Sequence, residues 1–386
     1  MIRSFIVYLT ISIFFITLHG CSLPVIIPVA SSHAPKLYDD GDLSLLRKSL
    51  IQTLNKLRFK PPTALVSLGR RRCSVKRLVV SLRFLLDLIA DNPDPVTLDA
   101  RIKRSFDLYQ STGFNFFIRD RAILVTGYYQ PVFNGSLKGQ GDYKHPLYSM
   151  PLGLEVGYRK NSIVSGTPEV DWSRRAIVTR GLCAGNELVW LKDPMDSYIL
   201  HVQGSGLIRL KDGSLRGVGY AGANGLPYKS IGFHMAATGR LSLQDVSLPS
   251  IRRYISSHPD ERDEILFHND SFIFFRWNKN TSAQGALGVE LIPGRSIAVD
   301  FSYVPAGGLV FLKTSRPVIE KGQVKGWRSI NRIVVAQDTG SAIKGPGRVD
   351  LFCGTGEQAG ELSGHLKREG LFFILLLKDK LFARYK

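Results

Sequence analysis

From about residue 120 to 378, glycine and proline cut the chain into apolar runs too short for ordinary helices. RAILVTGYYQPVF, RAIVTRG, ELVWLK and SYILHVQGSGLIRLKDGSLRGVGYAG come first. SFIFFRW (271–277), RSIAVD (295–300), GLVFLK (308–313), SINRIVVAQD (329–338) and LFFILLL (371–377) follow. Runs of this length between turn residues read as strands. Many short strands without regularly alternating helices favour small barrels over a doubly wound sheet. KSIGFHMAATG and PSIRRYISSH mark a helical interlude over roughly 228–266.

Ahead of the strands the spacing changes. In DLSLLRKSLIQTLNKL (42–57) Leu46, Leu50, Leu54 and Leu57 fall on one helical face behind Asp42, a candidate cap. SVKRLVVSLRFLLDLIADN (74–92) and TLDARIKRSFDLYQ (97–110) predict two further helices, parted by NPDP (92–95). The basic run GRRRC (69–73) reads either as a solvated lead into the second helix or as a binding patch. A chain of 386 residues accommodates two domains, or one domain with a large insertion. Its 44% hydrophobic content is that of a protein with a real core.

Residues 1–21, MIRSFIVYLTISIFFITLHGC, carry one early cation, Arg3, and an apolar run from Phe5 to Leu18. That run is shorter than the roughly 20 residues of a membrane span and suits a secretory leader. Leu18-His19-Gly20-Cys21 is similar to a bacterial lipobox, in which cleavage leaves Cys21 lipid-modified. Plain secretion and an uncleaved anchor are the other readings. Residues 22–41, rich in Pro, Ser and small side chains, read as a tether.

Lys and Arg number 51 against 32 Asp and Glu, a formal charge of +19. Such a surplus favours an anionic partner: nucleic acid, anionic lipid or an acidic polysaccharide. Export, and the lack of interleaved basic and aromatic recognition motifs, set nucleic acid aside and favour a cell-wall polymer. The four cysteines, Cys21, Cys73, Cys183 and Cys353, form neither a disulfide framework nor a zinc pattern. The eight histidines show no metal-binding spacing, so no cofactor or metal is expected.

Three clusters carry chemistry. AQDTGSAIKGPGRVDLFCGTG (336–356) places Asp338 at the end of an apolar strand-like run and Asp350 in the next, with a glycine-containing loop between. Two carboxylates brought together and partly desolvated raise one pKa, as a general acid near neutrality requires. Asp in such loops also caps turns, and the residues alone leave both readings open. In VTGYYQPVFNG (125–135), Tyr128 and Tyr129 offer flat surfaces for stacking on sugars, or aromatic packing inside a barrel. HVQGSGLIRLKDGSLRGVGYAGANG (201–225) is rich in glycine and carries Gln203, Ser205, Tyr220 and Asn224. No Lys-Ser/Thr follows QGSG, so this is not a phosphate loop; a groove for a chain polymer explains it better.

In order, GYYQP, YILHVQGSG with VGYAGANGLPYKSIG, PGRSIAVD and AQDTGSAIKGPGRVDLFCGTG resemble the membrane-bound lytic murein transglycosylase A family. The resemblance spans about 120–378, and more weakly 42–112. The last two pieces look like the three-aspartate domain, whose acids are here Asp300, Asp338 and Asp350. It favours acid catalysis over turn capping.

The resemblance implies a mainly β fold with a helical lead. A double-psi β-barrel catalytic domain would be formed by 42–130 and 268–386. A smaller β-barrel domain would be inserted at 131–267, with the substrate groove between the two. The implied activity cleaves the β-1,4 bond between N-acetylmuramic acid and N-acetylglucosamine of peptidoglycan, leaving 1,6-anhydromuramic acid ends. Asp350 would be the catalytic acid and Asp338 its support, with Tyr128, Gln203, Tyr220 and Asp300 as substrate-binding residues. Some members carry one residue fewer between the two aspartates, and His19 is large for a lipobox. A glycan hydrolase on the same barrel and a non-catalytic wall-binding lipoprotein are the alternatives. The expected partners are glycan strands, a membrane reached through a lipid anchor, and wall-synthesis proteins. The expected location is the periplasmic side of the outer membrane, or the periplasm as a soluble protein. The basic surface would steer polyanionic strands, or serve solubility or lipid adhesion.

Overall fold

The computed structural model describes residues 26–113, 122–151, 170–340 and 342–385. The expected leader and Cys21 lie outside the described residues. The described strands begin with β1 (Ile26–Val29), β2 (Leu65–Leu68), β3 (Arg71–Ser74), β4 (Phe106–Ser111), β5 (Ile123–Gln130), β6 (Val132–Ser136), β7 (His145–Tyr148) and β8 (Glu187–Leu191). They continue with β9 (Ser205–Arg209), β10 (Leu215–Ala223), β11 (Ile273–Trp277), β12 (Ser296–Ala298), β13 (Leu309–Glu320), β14 (Gln323–Asp338), β15 (Arg348–Thr355) and β16 (Lys367–Leu377).

Six strands close on themselves: β16, β13, β14, β12, β15 and β5 pair in turn, and β5 returns to β16. β12 runs parallel to β14, and β15 parallel to β5; the other four pairings are antiparallel. The fold is thus mainly β around a closed six-stranded barrel of mixed direction, as the double-psi expectation requires. β4 and β1 extend the sheet beyond β16.

The barrel strands are apolar at consecutive positions because both of their faces are covered. Leu309 and Phe311 of β13 pack outward with Leu46, Leu50 and Leu85 of the flanking helices. Val310 and Leu312 point the other way, into the barrel with Val125, Ile297 and Val349. The covering helices, Leu43–Leu57 and Val75–Leu88, start where Asp42 and Ser74 accept backbone N–H bonds.

A second sheet, in the order β11-β10-β9-β6-β8-β7, interrupts the barrel sequence between β5 and β12. Its core joins Leu147, Val189, Leu191, Ile208, Val218 and Phe275. Helices Pro194–Gln203, Ile231–Ala237, Leu248–Ser257 and Arg262–Phe267 pack beside it. Through them Ile199 and Ile251 meet Tyr129 of β5 and Ala359 of the helix Glu357–His365.

Several expectations are corrected. Residues 26–41 are no tether. β1 pairs with β4, Leu37 is fully buried, and Asp39 makes a bidentate buried ion pair with Arg295 at 2.6 and 2.8 Å. The third helix ends at Ser105, because Phe106–Ser111 pairs as β4 with β1 and β16. RAIVTRG is helical over Arg174–Arg180, and SYILHVQ belongs to helix Pro194–Gln203. Side-chain caps at Ser173 and Asp193, and Pro194 in the first turn, outweigh the β-branched composition there. GRRRC lies in a β2–β3 hairpin, with Arg71–Ser74 as its second strand. β11 pairs with β10, so the inserted sheet runs to Trp277, beyond the expected end at 267.

Candidate active site

The short strand β12 organises the acids. Ala298 is the register partner of Asp338 on β14 and of Asp350 on β15. Register partners present side chains to the same face. The two aspartates therefore flank one alanine, their Cα atoms two strand spacings, about 10 Å, apart.

Asp338 ends β14 in a setting that is densely packed yet partly open to solvent. Its Oδ1 accepts from the backbone N–H groups of Ala286 (2.8 Å) and Thr339 (2.9 Å). Burial lifts its pKa to about 6; those bonds pull against the rise, and the Asp350 charge adds slightly to it. The buried Tyr128 hydroxyl has no formed hydrogen bond among the described residues and interacts with Asp338. Its phenol pKa is pushed well up, first by burial and then by Asp338. The Tyr128 ring leans on Phe352, with centroids 5.3 Å apart.

Asp350 has a side chain 15% exposed. Its Oδ1 accepts from the Thr126 hydroxyl, and the Arg348 Nε lies 3.6 Å from the same oxygen. Burial raises the carboxyl's pKa, while Arg348 and Thr126 hold the rise down. Oδ2 makes no hydrogen bond among the described residues. Thr126 is opposite Asp350 because β5 runs parallel to β15. Arg348 shares its face because side chains two apart along a strand point the same way.

Asp300 sits in a different setting from the other two acids. Its carboxylate accepts from Ser302 N (2.9 Å) and Gly345 N (2.8 Å), pinning the loop between β14 and β15. Burial works to raise its pKa, but those bonds and Lys344 outweigh it, and the carboxyl titrates below its ordinary range. Gln203 accepts from the Tyr129 backbone N–H (3.2 Å), tying the inserted helix to β5. Tyr220 is 54% exposed on β10 and has no contact with either aspartate among the described residues. Asn224 is buried and bonds Trp172 O, Asp270 O and Phe272 N, which fixes the loop bearing Tyr228. Tyr228 in turn lies within electrostatic reach of Arg348, so the inserted part borders the acid site.

Sequence reasoning missed Thr126 and Arg348. Period-two alternation within RVDLF could have found Arg348. Nothing local marks Thr126, which is 224 residues from its partner. A cavity of about 620 Å³ lies between barrel and insert, lined by Tyr129, Phe133, Asp196, Arg252 and Glu357. It opens behind β5, on the side away from Thr126 and Tyr128, and neither Asp338 nor Asp350 lines it. Gly127 faces helix Glu357–His365 there. An added Cβ would lie 2.8 Å from the Ser363 Cα, so only glycine lets the helix come this close.

Fold and site define a two-part β protein whose barrel carries a desolvated carboxylate pair, the equipment of acid–base catalysis. The MltA specific insert domain family matches residues 124–276, and the 3D domain family residues 295–376. Membrane-bound lytic murein transglycosylase A of Escherichia coli (strain K12) is 32% identical over 256 residues, 66% of this chain. That alignment spans 65% of the curated relative's length. A solved E. coli MltA with bound chitohexaose superposes with a TM-score of 0.69 at 26% identity, covering 91% of this chain and 94% of that one. A membrane-bound lytic murein transglycosylase from Agrobacterium tumefaciens gives a TM-score of 0.73 at 25% identity, covering 94% and 99%. The lytic transglycosylase LtgG of Burkholderia pseudomallei is 32% identical over 92% of this chain and 96% of its own, with a TM-score of 0.52. The chain belongs to the membrane-bound lytic murein transglycosylase A family.

Proposed function

We propose that the chain is a lytic transglycosylase. It cleaves the β-1,4 bond between N-acetylmuramic acid and N-acetylglucosamine of peptidoglycan and leaves 1,6-anhydromuramic acid ends. The observation carrying this reading is the setting of Asp350: desolvated, held through Oδ1 by Thr126 and Arg348, with Oδ2 unengaged among the described residues. The chitohexaose bound by the solved E. coli relative supports a glycan strand as ligand.

Protonated Asp350 gives its proton to the bridging oxygen as the bond to the muramic C1 breaks. The sugar's 2-acetamido group supports the positive charge that grows there. The ionised Asp350 then takes the proton of the C6 hydroxyl on the same sugar, and that oxygen attacks C1. One acid thus serves both steps, without water and without a second catalytic base. Holding the nucleophile within the same residue is worth on the order of 7–11 kcal/mol of barrier. Asp338 shares a face with Asp350 on either side of Ala298, and like charge between the two disfavours ionising both at once.

The remaining site residues take positioning parts. Tyr128 faces Asp338, Gln203 clamps the insert onto β5, and Asp300 shapes the loop before Asp350. Tyr220 offers an exposed ring to a sugar farther along the strand. The barrel unit comprises 26–130 and 278–385, and the insert 131–277. The leader exports the chain, and Cys21 carries its anchor on the periplasmic face of the outer membrane.

Positioned proton donation contributes typically about 10²–10⁴-fold. Asp350→Asn is therefore expected to lower release of soluble fragments from purified sacculi by at least about 100-fold, with sacculus binding retained. Near-normal release by this variant would remove Asp350 from the chemistry.

A further inference from the structure

Between Leu43 and Leu86 the chain has eleven Arg and Lys and no Asp or Glu, more than half of its surplus of 19. The ion pairs of this segment among the described residues are Lys48–Glu290, Arg77–Asp107 and Arg77–Asp379. Lys60, Arg70, Arg72 and Lys76 have none and are exposed. They lie on one locally tied piece of structure. Loop 58–64 is bonded to the start of the second helix through Ala64 O to Val75 N (2.8 Å) and Pro62 O to Lys76 N (2.9 Å). The β2–β3 hairpin joins the two, with Leu65 and Arg72 on its outward face. Two large apolar side chains stand among these cations: Phe59 is 74% exposed and Leu65 59%.

We propose that this face, residues 58–76, docks onto an anionic phospholipid bilayer. Cations flanking exposed aromatic and aliphatic side chains are the composition of an interfacial membrane contact: the charges meet headgroups and the apolar groups enter below them. The chain's own path favours a membrane over a glycan. The hairpin turn at Gly69 packs on Ile26, where an added Cβ would lie 2.8 Å from the Ile26 Cβ. Only four residues separate Ile26 from Cys21, and the apolar run Phe5–Leu18 precedes Cys21. The basic face therefore borders, through its hairpin turn, the point from which the chain leads to its hydrophobic end. It contributes no side chain to the contacts of Asp338 or Asp350.

The test uses the chain from Ser22 onward, which keeps every described residue, with co-sedimentation on vesicles. Binding to phosphatidylglycerol-containing vesicles is expected, with little to phosphatidylcholine alone and loss at high salt. Each cation near an anionic surface strengthens binding about five-fold. The quadruple variant K60Q/R70Q/R72Q/K76Q should therefore bind at least about 100-fold more weakly. F59S/L65S should bind more weakly than the wild type at every salt concentration. Both variants should keep wild-type melting temperatures and wild-type cleavage of soluble glycan fragments. Equal vesicle binding by the quadruple variant overturns the proposal. So does a wild type that ignores vesicles but binds lipid-free sacculi through these four cations, an outcome that would assign the face to glycan.

Discussion

Asp338 keeps a carboxylate where burial opposes its charge, and the effect is readable in stability. The folded state holds its proton up to about pH 6, whereas the ordinary value is 3.8. Between those values the folded state binds the extra proton, so stability falls as pH rises through the window. The loss is on the order of 3 kcal/mol once both values are passed. Asp338→Asn removes the titration while an amide oxygen can still accept from Ala286 and Thr339. Thermal melts should show the variant gaining on wild type between pH 4 and 7; parallel curves for the two would contradict the shift. Arg348 acts on the other acid with opposite sign, since its charge favours ionised Asp350. Arg348→Gln should move the alkaline limb of the kcat/KM profile, where Asp350 loses its proton, to higher pH, and Arg348→Lys should leave it near wild type. An unmoved limb in the Gln variant would make Arg348 a packing residue only. The aspartates were legible because each ends or opens a strand-like run beside a glycine-bearing loop. The loop-pinning bonds of Asp300 were not legible, because its identity as a third acid says nothing about the two backbone N–H groups it accepts from.

The N-terminal segment shows how an element's composition can hide its role. Residues 37–42 are strapped to the barrel by Arg295, which reaches the Asp39 carboxylate, Ile333 O and Asp42 O from a site 1% exposed. Breaking one partner of a buried ion pair costs about 3–5 kcal/mol, because the other charge stays buried. Asp39→Asn should lower unfolding stability by about 3 kcal/mol or more in urea, with fragment release per folded molecule unchanged. A loss below about 1 kcal/mol would mean the strap is not cooperative with the barrel. Pro28, Pro35 and the serines of this stretch suggested a tether, yet β1 needs only an edge on which to pair. Elements with caps were easier to read. Asp42 announced the first helix, and Ser173 and Asp193 would have announced two more had their signals been weighed above the Val and Ile that follow.

At the scale of the molecule, the barrel is closed by pairings that no local pattern contains. β5 meets β15 and β16 across more than two hundred residues, and this closure brings Thr126 to Asp350. The likeness of ordered motifs supplied the architecture; alternation alone supplied only strands. The charge is also distributed differently from what steering toward a cleft required, since much of the surplus sits on the helical lead and its hairpin. Near the acids stand Arg348 and, on the loop that Asp300 pins, Lys344. The most direct test is mass spectrometry of the muropeptides released from purified sacculi by the wild-type chain and by Asp350→Asn. The expected result is 1,6-anhydromuramic acid ends from the wild type and almost none from the variant. Reducing ends alone from the wild type, or undiminished anhydro products from the variant, would contradict the single-acid, water-free reaction.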